Sequence, residues 1–118
     1  MKKKYRIKKS DEIVQILKKR KTVGNKYFVI YKSENRKITN FRYAVSVNKK
    51  YGNAVERNHI KRQVREIIQK NSSNLEKMDI FIVIKLVARE LKFKEIEENI
   101  IKLLKKAEMF RRRTHDQV

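Results

Sequence analysis

Between Gly52 and Glu66 the chain reads GNAVERNHIKRQVRE, and four of the nine positions from Arg57 to Arg65 are cationic: Arg57, Lys61, Arg62 and Arg65. A helix advances about 100° per residue. With Arg57 at zero, Lys61 falls at about 40°, Arg65 at about 80°, Asn58 at about 100° and Arg62 at about 140°. One arc therefore carries the cations and an amide. Ile60, Val64, Ile67 and Ile68 share a second arc, and Glu56, His59, Gln63 and Glu66 fill the third side. Arg57/Lys61 and Lys61/Arg65 stand four residues apart, so their like charges repel. A solvated surface helix would intersperse its charges instead. Opposing phosphates would offset the repulsion, and the guanidinium fork matches phosphate oxygens bidentately. Asn58 can both donate and accept, to phosphate, ribose or a base edge. The chemistry this pattern suits is the gripping of a polyanion.

Bond-breaking chemistry finds less support. A protein ribonuclease working by general acid and base needs a pair of such groups within reach of one phosphate. The chain has two histidines, His59 and His115. His59 lies off the cationic arc, and His115 falls in a basic C-terminal tail, RRRTHDQV. Two-metal hydrolysis needs a carboxylate cluster. Glu95, Glu97 and Glu98 stand beside lysines on one helix and read as salt-bridged solvation. Asp11 and Glu12 suit the positive end of a helix dipole. No metal-ligating residues are assigned. The chain has no cysteine, which excludes disulfides and thiolate metal sites.

Charge over the whole chain points the same way as the helix. The 118 residues suit one domain spanning 1–118, with basic flexible ends at about 1–9 and 111–118. They hold 33 Lys+Arg against 13 Asp+Glu, a net charge of +20. That charge repels itself on folding, so a neutralising partner is expected. Nucleic acid fits first, through counterion release; an anionic membrane surface fits second. A hydrophobic content of 40% argues against disorder. The N-terminus MKKKYRIKKSDE lacks the apolar core of a signal peptide. The longest apolar run, IFIVI (Ile80 to Ile84), is too short to span a bilayer. No membrane partner and no protein partner are expected, and a cytoplasmic location follows.

The elements that would position the basic helix can be read by period. Ser10 is a candidate N-cap, followed by the stripe Ile13, Ile16 and Leu17, with KKRK (Lys18 to Lys21) at the negative end. KYFVIY (Lys26 to Tyr31) and FRYAVSV (Phe41 to Val47) alternate as strands, separated by the polar turn KSENRKITN. Asn53 and Glu56 form a capping-box pair ahead of the basic helix. DIFIVIKLV (Asp79 to Val87) reads as a strand buried on both faces. Phe93, Ile96, Ile100, Leu103, Leu104 and Ala107 place an amphipathic helix over Phe93 to Phe110. The order is α-β-β-α-β-α. A fourth strand within Val23 to Ser33 stays open.

The run RYAVSVNKKYGNAVERNHIKRQVRE closely resembles the signature of the bacterial ribonuclease P protein subunit. That family carries an Arg-Asn-x-x-Lys-Arg-x-x-Arg pattern, met here by Arg57, Asn58, Lys61, Arg62 and Arg65. Lys49, Lys50, Gly52, Asn53, Ala54 and Val55 match its lead. Chain length, basic N-terminus and element order fit as well, so the resemblance covers nearly the whole chain.

The resemblance implies an α+β (α/β) two-layer sandwich, a small mixed sheet with about three helices and a left-handed βαβ crossover. It implies a subunit that joins a large catalytic RNA to remove the 5′ leader of precursor tRNA, leaving a 5′-phosphate. Catalysis would belong to the RNA, with Mg2+ acting mainly through it. Arg57, Asn58, Lys61, Arg62 and Arg65 would bind the RNA subunit. A cleft between the first helix and the sheet would hold the leader, through Tyr31, Lys50, Lys49, Ser46, Ile13 and Leu17. The family typically has aromatic residues where Ile13 and Leu17 stand. Either those two meet the leader by apolar packing, or they are core residues only. A ribosomal or RNA-chaperone protein is the alternative. A major-groove DNA reader fits less well, for want of a partner helix at helix-turn-helix spacing.

Overall fold

A computed structural model describes residues 5–7, 9–34 and 40–110. The tail 111–118, with His115, lies outside the described residues, as do 1–4 and most of the polar turn after β2. Among these residues three α-helices, α1 (Ser10–Lys18), α2 (Ala54–Lys70) and α3 (Phe93–Lys106), accompany four strands, β1 (Thr22–Gly24), β2 (Phe28–Ser33), β3 (Arg42–Val47) and β4 (Asp79–Ile84). The sheet order is β1-β2-β4-β3. β2 runs antiparallel to β1 and β4, whereas β3 and β4 are parallel and joined through α2. The sheet is therefore mixed, with a β3–α2–β4 crossover.

The fourth strand left open by the sequence is β1. Asn25 makes its hairpin: the side-chain oxygen accepts from the Tyr27 and Phe28 amides at 2.8 and 2.9 Å. The Asn25 amide in turn donates to the Phe28 carbonyl at 2.9 Å. Register then sorts the two faces. Phe28 and Ile30 of β2, Ile80, Ile82 and Ile84 of β4 and Tyr43 of β3 join one buried cluster with Ile60, Val64, Ile67 and Ile68 of α2 and Ile96, Ile100, Leu103 and Leu104 of α3. These are the two layers. The apolar stripes of α2 and α3 land in that cluster as their period predicts.

Among the described residues, α1 is the helix packed on the other face of the sheet. Tyr31 pairs with Phe81, which pairs with Ala44; Val29 pairs with Val83, which pairs with Ser46. All six are half-buried. β4 is thus not buried on both faces, contrary to its apolar run: nine residues of α1 are too few to cover the sheet. Three further expectations change. Ser10 is the first residue of α1 and not its cap; Lys9 takes that position without a side-chain bond. Glu12 serves more than the dipole, since it meets Arg42 at 2.6 Å, and Arg42 also grips Asp79 of β4. Phe93 opens α3 at 40% exposure instead of joining its buried stripe.

Candidate nucleic-acid interface

The basic helix is set by its first turn. The Asn53 side chain accepts from the Glu56 amide at 2.9 Å, and the Glu56 carboxylate accepts from the Asn53 amide at 3.0 Å. This reciprocal box satisfies two amides at the helix end and fixes where α2 starts. Asn53→Ala should cost about 1 kcal/mol of stability, read as a lower urea midpoint. An unchanged midpoint would mean that packing of Ile60 and Val64 sets the helix start unaided.

With the apolar stripe inward, the cationic arc faces outward and toward the edge of β3. Asn58 and Arg62 are exposed; Arg57, Lys61 and Arg65 are half-buried. The ion pairs among the described residues are Arg42 with Glu12 and Asp79, Lys70 with Glu97, and Arg89 with Glu56. None of them engages Arg57, Lys61, Arg62 or Arg65. Burial lowers the Lys61 pKa, and the charges of Arg65, Arg57 and Arg6 lower it further. Both effects disfavour the charged form, so the fold holds protonated Lys61 at a cost. Lys61→Gln should therefore raise the thermal midpoint of the free protein while weakening its binding to structured RNA. A lower midpoint would show that the lysine stem contributes more by packing than its charge costs.

An open cleft of about 340 Å³ lies where α2 meets the sheet edge. Lys61 and Arg65 line it from α2, Ile13 from α1, Ala44, Ser46 and Phe81 from the half-buried face, and Arg6 and Ile7 from the N-terminal segment. Of the residues expected at a leader cleft, Ile13 and Ser46 are brought together here. Tyr31 stands one strand away, its ring 6.2 Å from that of Phe81. Leu17 follows Ile13 by four residues on α1 and is half-buried like it, whereas Ile16 is 1% exposed and supplies the core contact. Lys49 and Lys50 are exposed on a short helical turn beyond β3, where the Asn48 side chain accepts from the Lys50 amide at 2.8 Å.

Two residues at this site escaped the sequence reading. Phe81 supplies an aromatic ring beside the cleft, but its partnership with Tyr31 exists only through strand register. Arg6 belongs to the basic N-terminal segment, where Tyr5 stacks on Phe41 at 4.8 Å, Ile7 is buried, and the Ile7 amide donates to the Tyr43 carbonyl at 2.9 Å. Beneath this segment, burial pushes the Tyr43 phenol up to about 12, with Arg65 and Arg6 pulling the other way.

The acidic residues are placed structurally. Glu97 meets Lys70 at 3.3 Å, and the Glu95 carboxylate accepts from the Lys92 amide at 3.0 Å at the start of α3. Among the described residues no group of three or more His, Asp or Glu side chains is placed to hold a metal ion. Nor is any helix among them long and apolar enough to cross a membrane.

Comparison with known proteins agrees with this geometry. The family model described as Ribonuclease P matches residues 1–108. The chain is 38% identical to the ribonuclease P protein component of Macrococcus caseolyticus, covering 96% of this chain and 98% of that protein. It is 45% identical to that of Phytoplasma australiense, covering 90% and 93%. Its fold superposes on the Staphylococcus aureus RNase P protein with a TM-score of 0.87 at 38% identity, covering 91% and 98%. A cation-bearing helix beside a half-covered sheet, matched along nearly its whole length by these relatives, places the chain in the ribonuclease P protein component family.

Proposed function

We propose that this chain is the RNA-binding protein subunit of a ribonuclease P holoenzyme, assisting endonucleolytic removal of the 5′ leader from precursor tRNA in the cytoplasm. Arg57, Asn58, Lys61, Arg62 and Arg65 bind the catalytic RNA. The half-buried face beside α1 receives the leader, through Tyr31, Ser46, Ile13 and Leu17, with Lys49 and Lys50 beyond β3 drawing in its phosphates. Phe81 adds a ring to that surface, partly replacing the aromatic side chains that Ile13 and Leu17 lack. Stacking on one ring is worth about 1–3 kcal/mol per base, so Tyr31 and Phe81 would carry more of the leader's affinity than the aliphatic pair. The observation that carries this reading is the set of α2 cations without carboxylate partners among the described residues, opening onto a partly apolar cleft.

The chain's own part is electrostatic and positional. Cations close to the RNA screen its self-repulsion, and a held leader adds substrate affinity. Bond cleavage is assigned to the RNA subunit, with Mg2+ acting mainly through that RNA.

The test is reconstitution. The purified protein is mixed with a bacterial ribonuclease P RNA at low magnesium and given precursor tRNA. Cleavage at the 5′ end should exceed that of the RNA alone, and the excess should shrink as magnesium rises. Binding to the RNA with no gain in cleavage would sink this reading and favour a ribosomal or chaperone role.

A further inference from the structure

We propose that Arg6, Lys61 and Arg65 form one phosphate-gripping pocket over the edge of β3, taking a single phosphodiester of an RNA strand that passes from the cationic face of α2 to the apolar face beside α1. The inference rests on the RNA-binding role proposed above and names a point of grip within it.

Three independent observations converge. The first is that Arg6 is presented by a fixed backbone. Its neighbours on both sides are docked, Tyr5 by its stack on Phe41 and Ile7 by burial and by the hydrogen bond to Tyr43. Arg6 itself forms a parallel bridge with Tyr43. This short pairing covers part of the outer edge of β3 and aims an exposed guanidinium toward α2. A basic residue in a loose tail would give a diffuse field; one fixed at a strand edge gives a contact.

The second is the cleft itself. Its volume of about 340 Å³ lies at the lower end of small-ligand sites. Its lining is divided by chemistry. Arg6, Lys61 and Arg65 supply cations, while Ile13, Ala44 and Phe81 supply an apolar wall, with Ser46 among them as a hydroxyl. A nucleotide has that division: an anionic diester on one side and a base with a flat apolar face on the other.

The third is charge placement. The ion pairs among the described residues occupy Glu12, Asp79, Glu97 and Glu56, and none reaches Arg6, Lys61 or Arg65. Three cations crowd one concave spot, and the field of Arg6 is felt at Lys61. An anion shared among them relieves the repulsion, and two guanidinium forks suit phosphate oxygens better than a lone carboxylate. Because the grip is on the backbone, it sets position and carries no base preference.

Two strands could supply the diester, the RNA subunit or the precursor leader, and two binding arms separate them. In the first, wild type, Arg6→Gln and Arg6→Lys are titrated with the RNA subunit alone across a salt series. In the second, holoenzymes reconstituted with each protein bind precursor tRNAs of graded leader length. Arg6→Gln should weaken binding severalfold in one arm and flatten its salt slope by about 0.7–0.9 there. Arg6→Lys should restore the slope. A loss in the first arm assigns the diester to the RNA subunit. A loss in the second, appearing only above a threshold leader length, assigns it to the leader. The double variant Arg6→Gln/Lys61→Gln should lose less than the product of the two single losses, since both groups hold one phosphate. Unchanged affinity and slope in both arms would overturn the pocket, and so would losses that multiply. Failure of wild type to stimulate cleavage reports on the proposed function separately.

Discussion

Arg42→Ala should cost the fold about 3 kcal/mol, a large share of what a domain of this size has to lose. Arg42 Nε and Nη2 each donate to an Asp79 carboxylate oxygen at 2.9 Å, and Nη2 also donates to Glu12 at 2.6 Å. The Asp79 side chain is 6% exposed. Its carboxylate and Glu12 hold the guanidinium proton well above its ordinary range, and burial only partly opposes them. Truncation would remove two charge-assisted hydrogen bonds from a nearly buried carboxylate and one from Glu12, which costs more than the pair's net worth. Replacing both partners by apolar residues, as in Arg42→Met/Asp79→Leu, should recover most of the loss. Urea denaturation of the two variants checks this. A small loss for Arg42→Ala would mean that solvent or another group takes over the Asp79 carboxylate.

The same bond has a functional side. Glu12 lies one residue before Ile13 on α1, so Arg42 ties the helix to the sheet beside the proposed leader surface. The double apolar variant, stable but untied, separates the two roles. Its holoenzyme should bind mature tRNA normally and lose affinity only for precursors carrying a leader.

How much of this was legible in advance differs by element. α2 was readable because every level of its sequence agrees: the Asn53–Glu56 box, the isoleucine and valine stripe, and segregated cations. The resemblance added the identity of the polyanion. β1 was not readable, since Thr22–Gly24 has one apolar residue and becomes a strand only because the Asn25 turn lays it on β2. The apolar run of β4 implied two covered faces, but the length of α1 decides that, and no local pattern on β4 encodes it. Arg6 looked like one more tail cation. Its position depends on Tyr5 and Ile7 finding Phe41 and Tyr43, and such long-range partners leave no periodic trace. Glu12 likewise resembled a dipole residue because its partner lies on a distant strand. The local chemistry was in the sequence; the meeting of elements some thirty residues or more apart was not.

The double variant Arg57→Gln/Arg65→Gln should lower affinity for the RNA subunit roughly a hundredfold at low salt, taking about 1.5 kcal/mol for each charge-assisted contact. Its salt slope should be shallower by up to about 2. Loss of net charge alone offers a rival explanation, because the chain carries +20 and any two cations removed reduce its attraction to RNA. Lys70→Gln/Arg89→Gln removes the same charge from residues already paired with Glu97 and Glu56. A long-range field would respond alike to both variants, whereas direct phosphate contacts would be lost only in the first. The control should therefore keep most of its affinity and slope. Thermal denaturation must accompany both titrations. Arg57 and Arg65 have no carboxylate partner among the described residues, so their removal relieves repulsion and should not lower the midpoint, whereas the control gives up two exposed ion pairs worth little. Equal losses from the two variants would reduce the arginine pattern of α2 to a contribution to net charge.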